Sequence, residues 1–259
     1  MDIEYDVSDH VATITLNRPH QRNAFTLGMI EHWAQMLRQA ESDPEVRAVV
    51  LTGVAGSFCS GVDLAEFANR ERSPLAERNL LTERVHMVAH AAEALSKPYL
   101  AAVGGPAVGA GMDMALMADL RMAGTSATFC QGYIRVGLVP GDGGCYYLPR
   151  IVGMATALRL MWTAEVVDAE QAVRIGLVSS VHPDNELADA CQTLARKLAG
   201  MPPVAVRLIK RAAYASQHAD LRGALELIAA YQAVMTSTED SAEAMEAFLN
   251  RRPAQFRGR

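Results

Sequence analysis

The chain has no apolar run approaching the ~20 residues that a membrane-spanning helix needs. Its acidic start, Met1-Asp2-Ile3-Glu4-Tyr5-Asp6, lacks the basic-then-apolar build of a secretory leader, so a cytoplasmic protein is expected. There are only four cysteines, Cys59, Cys130, Cys145 and Cys191, and no C-x-x-C pair, which argues against a zinc knuckle or a disulfide framework. They read as reduced, mostly buried thiols. Excess base is missing too: 24 Lys and Arg against 29 Asp and Glu leave a net charge of -5, against the basic face of a nucleic-acid partner. Neither a G-x-G-x-x-G fingerprint nor a Walker A sequence occurs, and no internal repeat, low-complexity tract or long linker is visible.

What is present is an ordinary globular composition, 50% hydrophobic and 20% charged over 259 residues. Such a chain buries roughly 75% of its unfolded surface. The alternating run Val11 to Leu16 reads as a strand and Leu27 to Ala40 as a helix. Strand-like runs return at Ala48–Leu51 and Tyr99–Val103, and this alternation predicts an α/β fold. The polar segment from Glu66 to Arg78 is expected to be a mobile loop that helps to set substrate size. From Glu186 the pattern turns helical: Glu186–Leu198, Val204–Tyr214 opened by Pro203, Leu221–Met235 and Ser241–Asn250.

The most informative stretch is Gly109-Ala110-Gly111-Met112-Asp113, which enters an apolar helical pattern at Met112. Small residues let the backbone approach a ligand, and the first N–H groups of a helix have no partner inside it. With the partial positive charge of a helix N-terminus, this favours a developing negative oxygen. A second copy lies upstream, from Ala48–Leu51 through Gly53, Gly56 and Ser57-Phe58-Cys59-Ser60-Gly61 into Val62-Asp63-Leu64. Two backbone donors converging from two loops suit a thioester enolate or a tetrahedral intermediate.

Further segments stand around these loops in a fixed order: Leu16-Asn17-Arg18-Pro19 with Arg22-Asn23-Ala24, Lys97-Pro98 to Gly105, Gly137 to Gly144, and Ala172 to Val178. Over nearly the whole chain the series resembles the enoyl-CoA hydratase/isomerase (crotonase) superfamily. The resemblance implies a crotonase-type spiral of ββα units over residues 1–195 and a helical trimerisation region over 196–259. It implies an acyl-CoA substrate, with coenzyme A as part of that substrate and no bound cofactor or metal, and assembly as a homotrimer or a dimer of trimers. Gapless matching puts the two oxyanion donors on the backbone N–H groups of Val62 and Ala110. It carries substrate and coenzyme contacts onto Arg22, Ala24, Ser60, Asp63, Leu64, Phe248 and Arg251, although Asp63 also reads as a structural partner for its own loop. Arg18, Arg22, Lys97 and Arg251 are the cations on hand for a polyanionic coenzyme.

Hydratases of this superfamily typically place two glutamates where this chain has Asp113 and Tyr133, and a tyrosine is a poor base at neutral pH. Tyr133 is then a hydrogen-bonding group or a pocket wall. Asp142, in Pro140-Gly141-Asp142-Gly143-Gly144, is the compensating acid, and Asp113 with Asp142 form the expected acid/base pair. Asp142 has two further readings, as a plain turn residue and as a nucleophile in hydrolytic or dehalogenating chemistry assisted by His86 or His90. Two histidines at i, i+4 are by themselves more often surface or packing residues. The expected activity is hydration or double-bond shift of an enoyl-CoA. The alternatives are an Asp142-dependent hydrolase or dehalogenase and a silent CoA-ester-binding protein.

Overall fold

The computed structural model describes residues 1–68 and 73–259. Among the described residues nine strands form: β1 (Ile3–Ser8), β2 (Val11–Leu16), β3 (Ala48–Gly53), β4 (Tyr99–Val103), β5 (Pro106–Val108), β6 (Leu120–Gly124), β7 (Thr128–Cys130), β8 (Val167–Asp168) and β9 (Ser180–His182). A six-stranded sheet has the order β1-β2-β3-β4-β6-β9, antiparallel only at the β1/β2 hairpin, and β5-β7-β8 make a second, smaller sheet. Helices follow the strands: α1 (Leu27–Ser42), α2 (Leu64–Ala68), α3 (Pro74–Leu80), α4 (His86–Ala94), α5 (Ala110–Leu116), α6 (Gly144–Val152), α7 (Met154–Thr163) and α8 (Ala169–Arg174). The chain closes with α9 (Leu187–Ala199), α10 (Pro203–Ser216), α11 (Leu221–Thr236) and α12 (Glu239–Leu249).

Parallel strands covered on both faces read as continuous apolar runs, and the period-two alternation here sorts them between two cores. Val49, Leu51, Tyr99, Ala101 and Val103 join the main core with Trp33 and Leu37 of α1. Their neighbours Ala48, Val50, Leu100, Ala102 and Met122 pack instead with Leu187, Cys191, Ala195 and Ala199 of α9. The sheet thus ends its parallel strands in a row of loops on one edge, which is where ligand sites gather in such folds. Among the described residues no helix is long and apolar enough to cross a membrane.

Two expectations are corrected. The Glu66–Arg78 segment is not a plain loop: α2 covers its start, and α3 opens on Pro74 with Ser73 Oγ accepting from Ala76 N–H. Residues 69–72 of that segment lie outside the described residues. Lys97 is not a surface cation for a coenzyme but is buried, its Nζ donating to the carbonyls of Ala40 and Asp43, the latter at 2.6 Å. It closes the last turn of α1, whose terminal carbonyls otherwise lack donors. Burial lowers its pKa to about 8, and the nearby Arg207 charge acts in the same direction.

The C-terminal helices are anchored through Asp119. Its carboxylate takes Tyr99 N–H at 2.8 Å, Lys210 Nζ at 2.7 Å and the Tyr214 hydroxyl at 2.9 Å, tying α10 to the sheet. The last residues fold back on α12, where buried Asp240 accepts Arg257 N–H at 2.7 Å and Gly258 N–H at 2.8 Å.

Candidate active site

The two glycine-bearing loops meet because their backbones are laced together. Phe58 and Cys59 N–H both donate to Pro106 O at 3.1 Å, Val108 N–H to Cys59 O at 2.9 Å, and Gly109 N–H to Cys130 O at 2.8 Å. Gly111 sits at a close crossing, where a Cβ would stand 2.1 Å from Cys59 O, so no other residue fits there. A Cβ on Gly61 would lie 3.0 Å from Val108 O and 3.6 Å from Ala110 N, which puts the two loop ends in contact.

The Val62 and Ala110 N–H groups are left over by the geometry. Phe25 and Val62 form a parallel bridge in which Phe25 N–H donates to Gly61 O and Asp63 N–H to Phe25 O, both at 2.9 Å, so Val62 faces away from that pairing. Ala110 is the first residue of α5 behind Gly109, whose φ is 53°, and has no intrahelical acceptor. Among the described residues neither N–H has a hydrogen-bond acceptor. Asn23 holds the first loop from below: its Nδ2 donates to Val54 O at 3.0 Å and Ser57 O at 2.7 Å, and its Oδ1 accepts Arg18 N–H at 2.9 Å.

Beside the loops stands an acidic cluster. Asp113 is fully buried in the first turn of α5, and Gln131 Nε2 donates to its Oδ1 at 2.6 Å. Its Oδ2 accepts the Tyr133 hydroxyl at 2.8 Å and Gly144 N–H at 3.0 Å. Gly144 must be glycine, since a Cβ would meet Asp113 Oδ1 at 2.4 Å. Tyr133 Oη also lies 2.6 Å from Asp142 Oδ2. Asp142 Oδ1 has no hydrogen-bond partner among the described residues.

Burial dominates the electrostatics. Desolvation pushes the Asp113 carboxyl up to about 7, opposed by the Gln131 hydrogen bond and reinforced by the Asp142 charge. Burial also raises Asp142, against the Tyr133 hydrogen bond and the His86 charge, and lifts Tyr133 well above its ordinary value. His86 Nε2 lies 2.8 Å from Gly141 O and so braces the turn that carries Asp142. His86 follows a single π-helical turn, Leu81–Val85, a local widening often met at functional sites. His90 is exposed and meets His86 edge-on, with ring centroids 6.4 Å apart.

The remaining expected site residues divide. Asp63 accepts from Arg18 at 2.9 Å and from Ala65 N–H at 3.0 Å, and the Arg18 hydrogen bond lowers its pKa, so both are parts of the loop framework. Ala24 is buried and gives its carbonyl to Arg18, and Ser60 Oγ donates to Gln21 O. Arg22 is exposed with φ 49°, and its carbonyl accepts from Ser60 N–H and Ser57 Oγ. Leu64 is 74% exposed at the start of α2. Phe248 at the end of α12 is 80% exposed and Arg251 just beyond it is exposed; neither belongs to the acidic cluster. Sequence reasoning missed Gln131 and the latching role of Asn23. The left-handed backbone at Arg22 and Asn23 is the one local sign, and Asn is the residue that tolerates it.

This spiral, with two unpaired N–H groups beside buried carboxyls, has known counterparts. A family model described as Enoyl-CoA hydratase/isomerase matches residues 6–259. A probable enoyl-CoA hydratase of Rhodobacter capsulatus is 38% identical over 99% of this chain and 98% of its own length. The 1,2-epoxyphenylacetyl-CoA isomerase of Escherichia coli is 37% identical over 98% and 97%. Among solved structures, an enoyl-CoA hydratase from Bacillus anthracis superposes with a TM-score of 0.95 at 31% identity, covering 100% of both chains. The chain belongs to the enoyl-CoA hydratase/isomerase family. It is an acyl-CoA-processing enzyme, and the hydrolytic, dehalogenating and silent-binding alternatives are not favoured by these relatives.

Proposed function

We propose that the chain shifts a double bond in an enoyl-CoA thioester. Asp142 takes a proton from one carbon and returns it to another, while the Val62 and Ala110 N–H groups hold the enolate oxygen. One observation carries this reading. Both oxygens of Asp113 and Oδ2 of Asp142 are engaged within the cluster, and Asp142 Oδ1 alone remains without a partner among the described residues. A single disengaged carboxylate oxygen suits a proton carrier better than a pair of carboxylates gripping water. The relatives include an isomerase as well as hydratases, although the substrate in its name is an epoxyphenylacetyl-CoA rather than an enoyl-CoA. Hydration is the second reading, supported by the hydratase relatives, with water activated by Asp142. Incubation with a 3-enoyl-CoA, a dienoyl-CoA and crotonyl-CoA separates the two: unchanged mass with a moved double bond is expected, whereas addition of water on every substrate overturns the isomerase reading.

Coenzyme A enters this picture as part of the substrate, in a cytoplasmic homotrimer or dimer of trimers. Exposed apolar side chains on α11 and α12 support assembly: Leu221 at 75%, Leu225 at 54%, Phe248 at 80% and Leu249 at 72%. Phe248 and Arg251 would then meet the coenzyme bound by a neighbouring subunit, with Arg22, Ser60 and Leu64 contributing from the same chain. Light scattering should give a trimeric or hexameric mass, and a monomeric mass at micromolar concentration overturns both the assembly and that role.

A further inference from the structure

Three acidic side chains meet at one oxygen, and the hydrogens between them can be counted. Tyr133 Oη contacts Asp113 Oδ2 at 2.8 Å and Asp142 Oδ2 at 2.6 Å, yet a phenol supplies one hydrogen. Two ionised carboxylates would leave one of these contacts without a hydrogen and hold two buried negative charges one oxygen apart. One carboxyl therefore carries a proton and donates it to Oη, while the phenol donates to the other. We propose that Asp113, Tyr133 and Asp142 form a relay holding one proton beyond the phenol's own, passed between the two carboxyls through Tyr133 Oη, with Gln131 as a positioning residue at its buried end.

The transfer balances. With the proton on Asp113, Asp142 is a carboxylate that accepts from Tyr133. Passing it on breaks the Asp113 O–H and Tyr133 O–H bonds and forms a new Tyr133 O–H and an Asp142 O–H, and the negative charge moves to Asp113. The relay thereby sets whether Asp142 meets the substrate as a base or as an acid without exchange with water, which deepens the double-bond-shift reading and rests on it. Gln131 fixes the far end: its Nε2 donates to Asp113 Oδ1 while its buried Oε1 has no partner among the described residues. The amide's one hydrogen bond among the described residues is therefore the one to Asp113. The other titratable groups facing the cluster are His86 from α4, Cys59 from the first loop, and Cys145 and Tyr147 from α6.

Infrared difference spectroscopy on the free protein tests this without substrate, so its failure is separable from failure of the isomerase reading. At pH 6, where an ordinary aspartate is ionised, wild type should show the carbonyl stretch of one protonated carboxyl. In Asp113→Asn and in Asp142→Asn the band should fade at a lower pH than in wild type, because the remaining carboxyl no longer has a charged partner one oxygen away. Absence of the band in wild type overturns the proposal. So does a titration midpoint that either substitution leaves unmoved, which assigns the proton to one carboxyl rather than to the pair. If an Asn variant fails to fold by circular dichroism, Tyr133→Phe decides. Without the phenol donor the band should persist to a pH higher by about one unit or more, and an unmoved midpoint overturns the relay.

Discussion

The proposed oxyanion half of the site is made of backbone, and the acid half of side chains. Val62 and Ala110 offer N–H groups whose positions are set by Asn23 beneath one loop and by Gly111 at the crossing of the two. Asp113, Gln131, Tyr133 and Asp142 instead depend on each other's polar atoms, with Gly144 N–H contributing from the backbone. The backbone half is indifferent to what the Val62 and Ala110 side chains are, so it can be shared by enzymes of different chemistry. On the proposed reading, the acid half is where one residue type for another changes the reaction. Tyrosine at residue 133 turns a possible water-gripping carboxylate pair into a cluster with one reaching oxygen.

Substitutions can break this contrast. The largest loss is expected for Asp142→Asn, which keeps size and polarity but removes the proton carrier, a ~10²–10⁴-fold effect on kcat. Because burial raises the Asp142 carboxyl and it acts as a base only when ionised, wild-type kcat should fall as pH is lowered through the mildly acidic range. That limb should be missing from the residual activity of Asp142→Asn, and a kcat–pH profile of each protein checks both points. If the variant is as fast as wild type, the acid half is scaffolding.

Ala110→Pro comes next and strikes the backbone half alone. Residue 110 is the first of α5, a position where proline is tolerated, so the N–H can be deleted with the helix kept. Loss of one such donor is worth roughly 2.7–4 kcal/mol, or ~10²–10³ in kcat. A protein with unchanged circular dichroism and wild-type turnover would remove Ala110 from the site. Tyr133→Phe is expected to be the mildest, on the order of tenfold or less in kcat from the loss of one hydrogen-bonding group. Near-complete inactivation by Tyr133→Phe with an unaffected Asp142→Asn would reverse the assignment of roles.

The strands and helices of the core were legible because burial imposes a period. Val11–Leu16 and Tyr99–Val103 form at their expected bounds, and the helix read at 27–40 runs on to Ser42. The loops were legible through their glycines: Gly53 and Gly111 occupy backbone crossings where a Cβ collides, while Gly56, Gly61 and Gly109 have positive φ. Polar residues whose partners are distant in sequence were not. Lys97 looks like any surface cation until the end of α1 is placed over it, and Gln131 has no local pattern that tells it from an exposed glutamine. The Glu66–Arg78 segment misled for a related reason: its charge and proline signal exposure, which short surface helices share with loops. Asp113, Tyr133 and Asp142 were each named from the chain, but only the folded geometry shows that they share one oxygen.

The lacing of the two loops also dictates when, in the life of the chain, the site can first exist. The segment around Cys59 is made before Pro106 and Val108, to which it must bond, and Gly109 waits for Cys130. Contacts of such separation close late, since the entropy of bringing distant segments together is met before any reward arrives. A nascent chain that ends short of Cys130 would carry both glycine loops but lack the acceptor with which Gly109 N–H pairs. The set of hydrogen bonds that spaces the two loops is therefore complete only once Cys130 has been made and has paired with Gly109.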